Sequence, residues 1–156
     1  MKIYLATDHA GYYLKEIVKA DLMSRGFVVE DFGAHNFNES DDYPDLIYPC
    51  VKKYIKETNG NLEKGFCIIF GGSGTGEAIV ANRVKGARAV VCNQKDLENA
   101  LEIAKLGRQH NNANVLSFGA RFVGDKQALE IIKTFQTGQF EGGRHQSRVF
   151  KIDYLV

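Results

Sequence analysis

Apolar runs alternate with helix-period patterns along the whole chain, and that alternation narrows the possible folds more than any other feature. Residues 2–7 (KIYLAT), 27–33 (FVVEDFG), 65–70 (GFCIIF), 87–92 (ARAVVC) and 114–119 (NVLSFG) read as strands. Between the first two, Leu14, Ile17, Val18 and Leu22 recur at helical spacing up to a stop at Arg25-Gly26. A polar loop over 34–42 precedes a second helix, with Asp42 as candidate cap and Pro44 in the first turn; it carries Leu46, Ile47, Cys50, Val51, Tyr54 and Ile55 and ends near Asn59-Gly60. A third helix starts inside a glycine loop and runs to about Arg83. A fourth carries Leu97, Ala100, Leu101 and Ala104 and stops near Gly107; a fifth carries Ala128, Leu129, Ile131, Ile132 and Phe135. The tail from Gly142 has room for one more short helix.

Five strands separated by helices predict a parallel sheet covered on both faces, because parallel neighbours need a crossover and the crossover helices cover the sheet. Right-handed crossovers then leave an α/β, Rossmann-like or flavodoxin-like, doubly wound domain, and five units are too few for an eight-fold barrel. At 156 residues, without a linker or internal repeat, the chain reads as one domain. A net charge of +1 gives no general pull toward nucleic acid or membrane, and the apolar runs are too short to span a bilayer. No basic and apolar leader opens the chain, so the expected location is the cytoplasm. Cys50, Cys67 and Cys92 are widely spaced, with no C-x-x-C pair, which argues against a disulfide framework and a zinc site.

In such sheets ligands collect at the carboxyl ends of the strands. There the third strand runs into Gly71, Gly72, Ser73, Gly74, Thr75 and Gly76, closed by Glu77. A tight turn needs one or two glycines; four leave backbone amides bare enough to converge on an anion or a developing oxyanion. No Gly-Lys-Ser/Thr follows, so this is not a P-loop. The glycines run G-x-G-x-G, and Asn93 stands where a ribose-binding acid would end the next strand, so a nicotinamide or flavin cofactor is not expected. Glu77 suits the positive end of a helix, where the dipole would keep it ionised; it is equally placed to act as a base.

Three further groups stand out. Asp8 and His9, at the end of strand one, share the rim of the glycine loop, where Asp8 is also a natural helix cap. His110 and Asn111 precede strand five and so fall at the opposite end of the sheet; His110 is either a surface residue or is presented to a neighbouring subunit. Arg144 and Arg148 are four apart, on one face of any helix there, and with Arg121 form the best local anion site; solvated surface arginines are the alternative.

Taken together, TDHAG near the start, DYPD at 42–45, GGSGTGEAIVANR, RQHNNANVLSFGAR at 108–121 and EGGRHQSRV at 141–149 resemble the ribose-5-phosphate isomerase B family, which includes the galactose-6-phosphate isomerase subunits. The resemblance spans nearly the whole chain. It implies a single sugar-phosphate isomerase domain over 1–156 that interconverts ribose 5-phosphate and ribulose 5-phosphate in the pentose phosphate pathway, with no metal or organic cofactor. It also implies a homodimer with shared active sites, with a tetramer of paired dimers as the alternative, and a tail over 142–156 that contacts the partner subunit. Many bacterial members use a cysteine base just before the G-x-G-x-G run; that position is Gly71 here, whereas a second branch carries a glutamate after the loop, as at Glu77. The resemblance thus makes Glu77 the proton-transferring base and His110 the ring-opening acid. Asp8, Asn111 and the loop residues Gly72, Ser73, Gly74, Thr75 and Gly76 would contact the sugar, and His9, Arg121, Arg144 and Arg148 its phosphate. A six-carbon substrate (galactose or allose 6-phosphate) and a non-catalytic sugar-phosphate or nucleotide-binding module are the alternatives.

Overall fold

Strands β1 (Lys2–Thr7), β2 (Val28–Asp31), β3 (Gly65–Gly71), β4 (Ala89–Cys92) and β5 (Val115–Gly119) form one parallel sheet in the order β2-β1-β3-β5-β4. The computed structural model describes residues 1–155. Its helices are α1 (Tyr12–Ser24), α2 (Tyr43–Thr58), α3 (Thr75–Ala81), α4 (Leu97–Asn111), α5 (Asp125–Thr137) and α6 (Arg144–Asp153). None of the described helices is long and apolar enough to cross a membrane.

Successive side chains of a strand point to opposite faces, so a strand covered on both sides must be apolar throughout. The central strand β3 meets that demand: all seven of its residues are buried. Phe66, Ile68 and Phe70 join a core with Leu14, Val18 and Leu22 of α1, Ala100 and Ala104 of α4, and Ile131, Ile132 and Phe135 of α5. Cys67 and Ile69 point the other way, into a core with Ile47, Cys50, Val51 and Tyr54 of α2 and Ala81 of α3. The Phe66 and Phe135 rings lie 5.7 Å apart; truncating either to alanine would cost ~3–5 kcal/mol.

This division of helices positions the site. The chain leaves β1 and β5 toward the face of α1, α4 and α5, but leaves β3 toward the face of α2 and α3. Crevices therefore open on both sides of β3 at its carboxyl end, which is where the glycine loop begins.

Several boundaries differ from the sequence expectation. Helix α4 does not stop at Gly107 but runs to Asn111, with Asn112 closing it in the left-handed region (φ 48°). Gly107 is there for proximity: a Cβ would lie 3.3 Å from the Val90 side chain, so the residue lets α4 sit close on β4. Asp42 precedes α2 without a side-chain capping bond, leaving Pro44 as the start signal. Strands β2 and β4 are shorter than their apolar runs, and α3 ends at Ala81.

Candidate active site

The rim is organised first by Thr7 and Gly11. Thr7 Oγ1 donates to the carbonyls of Asp8 (2.8 Å) and Phe70 (3.1 Å), tying the end of β1 to that of β3. A Cβ on Gly11 would collide with Thr7 Oγ1 and Phe70, so only glycine lets the first helical turn approach the sheet this closely. Asp8 then caps the 3₁₀ turn His9–Gly11 by accepting from the Ala10 N–H (3.0 Å). It is 7% exposed, and burial pushes its carboxyl above the usual range.

At the end of β3, Gly74 takes a left-handed φ of 76°, and its carbonyl accepts from Ser117 Oγ (2.6 Å). Asn93, at the end of β4, donates to the Ser73 carbonyl (3.1 Å). The Tyr43 ring covers Gly76, where a Cβ would lie 2.9 Å from its hydroxyl. Ser73 and Thr75 remain exposed.

Glu77 lies in the first turn of α3, 4% exposed, with its carboxylate folded back over Gly71. Here burial works against the helix dipole. Burial raises the Glu77 carboxyl above its ordinary value, its own backbone N–H opposes that, and the charge of Asp8 adds to it. The rim thus holds two acids, Glu77 and Asp8, near enough to influence each other.

Two basic groups stand beside them. Arg121, past the end of β5, donates its N–H to the Gly72 carbonyl (3.2 Å), and its guanidinium lies over Gly72, whose Cβ would sit 3.1 Å from Cζ. His9 is held by Asp41 in the 34–42 loop, whose Oδ1 accepts from the His9 N–H (3.0 Å) and lies 2.6 Å from Nδ1. That carboxylate raises the His9 pKa, favouring the imidazolium.

The other four proposed contacts lie elsewhere in the chain. His110 and Asn111 end α4 at the amino end of β5, and His110 stacks on His145, with centroids 4.3 Å apart and planes at 3°. Arg144 and Arg148 lie on α6 beside that pair, and both cations help to lower the His145 pKa after burial itself. The expected cluster of three arginines is therefore split: Arg121 sits with the glycine loop, and Arg144 and Arg148 with His110. The five residues of β5 alone separate these ends by ~16 Å.

Two groups could offer a metal ion three ligands within 4.8 Å of one another: Asp8, His9 and Asp41, and His110, Glu141 and His145. In the first, the capping bond and the Asp41–His9 bond already engage the donors.

Residues 3–152 match the family model described as Ribose/Galactose Isomerase. This chain belongs to that family. It is 40% identical to a probable ribose-5-phosphate isomerase B of Mycoplasma genitalium, over 96% of this chain and 92% of the relative. It is 39% identical to the ribose-5-phosphate isomerase B of Escherichia coli, over 95% and 91%. Among solved structures, ribose-5-phosphate isomerase B of M. genitalium with bound ribulose-5-phosphate superimposes with a TM-score of 0.87 at 38% identity, covering 99% of this chain and 95% of that one.

The resemblance sets a cysteine of other members at position 71; here the Glu77 carboxylate fills that space from the other side of the loop. Sequence reasoning singled out neither Asn93 nor Asp41 as a site residue and gave Tyr43 no role beyond its place in the DYPD motif. For Asn93 the signal was its position at a strand's carboxyl end.

Proposed function

We propose that the chain interconverts ribose 5-phosphate and ribulose 5-phosphate in a site completed by a second copy of itself. The observation that carries this is the buried Glu77 carboxylate lying against Gly71 at the start of the glycine loop, with Asp8 beside it. A base with a raised pKa both takes a proton and holds it long enough to return it. The substrate bound to the M. genitalium relative supports the choice of sugar.

The reaction follows from these placements. His110 of a second copy protonates the ring oxygen of the furanose as the bond from C1 to that oxygen breaks and the anomeric hydroxyl gives up its proton to water, leaving the aldehyde. Glu77 removes the proton from C2, giving an enediolate whose negative charge the amides of Gly72, Ser73, Gly74, Thr75 and Gly76 stabilise; a well-placed donor contributes ~3 kcal/mol. Glu77 returns the proton to C1 while the O2 hydroxyl proton moves to O1, which yields the ketose. Asp8 and Asn111 orient hydroxyls. The phosphate is held by His9 and Arg121 on one side and Arg144 and Arg148 of the second copy on the other, and this remote binding positions C2. The tail from Gly142 belongs to the same interface, since α6 carries both arginines and leaves Phe150 and Tyr154 exposed.

Steady-state turnover of ribose 5-phosphate tests the reading. Glu77→Gln keeps the shape and removes the base, so kcat should fall ~10²-fold or more. Retention of activity within about tenfold would overturn the assignment.

A further inference from the structure

The geometry points to a divalent transition-metal site formed by His110, Glu141 and His145, at which zinc-class ions inhibit the chain. The ligand atoms of these three residues all lie within 4.8 Å of one another, with His110 Nε2 and Glu141 Oε2 3.7 Å apart. Bonds of 2.0–2.2 Å from a tetrahedral ion place its ligands ~3.4 Å apart, so the group closes on an ion by small side-chain rotations. The stacked rings must splay by such a rotation for their lone pairs to converge.

The backbones that carry the ligands are fixed. His110 lies in the last turn of α4, and the Glu141 N–H donates to the Gln109 carbonyl (3.0 Å), holding residue 141 against that turn. Gly142 and Gly143 turn the chain through positive φ (65° and 53°), and the His145 N–H donates to the Gly142 carbonyl (2.9 Å), which sets His145 in the first turn of α6. Among the described residues, Glu141 has no ion-pair partner other than His110. His145 is 8% exposed, and among the described residues the one hydrogen bond to its ring is a long one donated by Arg144 Nε (3.4 Å).

Two imidazoles and one carboxylate suit zinc, cobalt, nickel and copper better than magnesium or calcium, which prefer oxygen ligands. Three protein ligands leave a fourth position open. Arg144 and Arg148 oppose a bare dication there, so the fourth ligand is an anion such as chloride or phosphate. Binding takes the His110 lone pair, so inhibition rests on the ring-opening role proposed above; the site itself does not.

Cobalt reports the two parts separately. Titration of the full chain with Co²⁺ should give saturable visible d–d absorption that Zn²⁺ displaces, and Zn²⁺ should slow turnover reversibly with EDTA. Glu141→Gln and His145→Gln, checked by melting temperature, should each raise the half-saturating Co²⁺ and half-inhibiting Zn²⁺ concentrations at least about tenfold, each measured against the variant's own metal-free rate. Absence of a saturable spectrum overturns the site. So does a spectrum that both variants leave unchanged, or one lost instead in Asp41→Ala, which would place the ion at Asp8, His9 and Asp41. Binding that leaves turnover untouched overturns the inhibitory claim and counts against His110 as the ring opener.

Discussion

The Glu77 carboxylate occupies the volume that any side chain at position 71 would need: a Cβ built on Gly71 would strike its carboxyl carbon and both oxygens. Carboxylate and glycine therefore share one space. Gly71→Ala adds a single methyl group, yet it must push the carboxylate off its site or shift the end of β3. Overpacking of this kind costs ~1–3 kcal/mol, so the melting temperature should fall by several degrees. The larger effect should be on turnover, with kcat down ~10²-fold as the base is displaced. A variant with unchanged kcat would show that the carboxylate works from another position.

Because burial raises the Glu77 pKa, its charge opposes folding. A group whose folded pKa exceeds the unfolded value contributes stability that is complete below the unfolded pKa and is lost as pH rises through the folded one. Above its folded pKa the wild type has lost that contribution, whereas Glu77→Gln never carries the charge. The glutamine variant should therefore gain melting temperature over the wild type as pH rises through that folded value, and the gap should close as pH falls below ~4.3, the unfolded value, where the acid becomes protonated in both states. Thermal melts across that range check this; a gap independent of pH would mean that packing, not charge, separates the two.

The same group should set the acid limb of kcat/KM. Its midpoint lies above the ordinary glutamate range because of burial, with Asp8 pushing in the same direction. Asp8→Asn removes the second effect and should move the limb to lower pH. Movement to higher pH would show that Asp8 acts on the base through something other than its charge.

How much of this was legible beforehand follows from which physics is local. The sheet, its covered faces and the rim holding Asp8, His9 and the glycine loop came from periodicity and strand order, which a sequence displays directly. The end of α4 was misread because Gly107 looks like a stop; its actual reason, contact with Val90, is tertiary. The environment of Glu77 was only half legible for the same cause. A helix N-terminus is visible in sequence, but the burial that raises the carboxyl's pKa is not. Asp41 is a polar loop residue until folding sets it against His9. Arg121 was grouped with Arg144 and Arg148 by residue type, and the fold divides them between the two ends of the sheet.

Thiol chemistry tests whether a cysteine takes part in turnover. Cys50, Cys67 and Cys92 are all fully buried, and burial raises the Cys50 and Cys92 thiols, the latter to about 12. Reactive thiolates need the opposite environment. Iodoacetamide should therefore leave wild-type turnover intact over a time that inactivates a cysteine-base relative. Rapid loss of activity, with the modified residue mapped by mass spectrometry, would place a thiol in the reaction and remove Glu77 from it.

Glu77 and His110 lie at opposite ends of one sheet, so neither can complete a site with the other in the same chain. If two copies face each other through a two-fold interface, each site joins Glu77 of one chain to His110 of the other. Glu77→Gln and His110→Ala would then each be inactive alone. A hybrid of the two contains one doubly altered site and one that pairs the intact Glu77 with the intact His110. Random mixing makes half the dimers hybrids and leaves half of their sites whole, so co-refolded or co-expressed variants should recover about a quarter of wild-type activity. Activity no greater than the sum of the separate variants, with hybrids verified by differential tagging, would require each chain to supply both groups to its own site, which the length of β5 forbids in this fold.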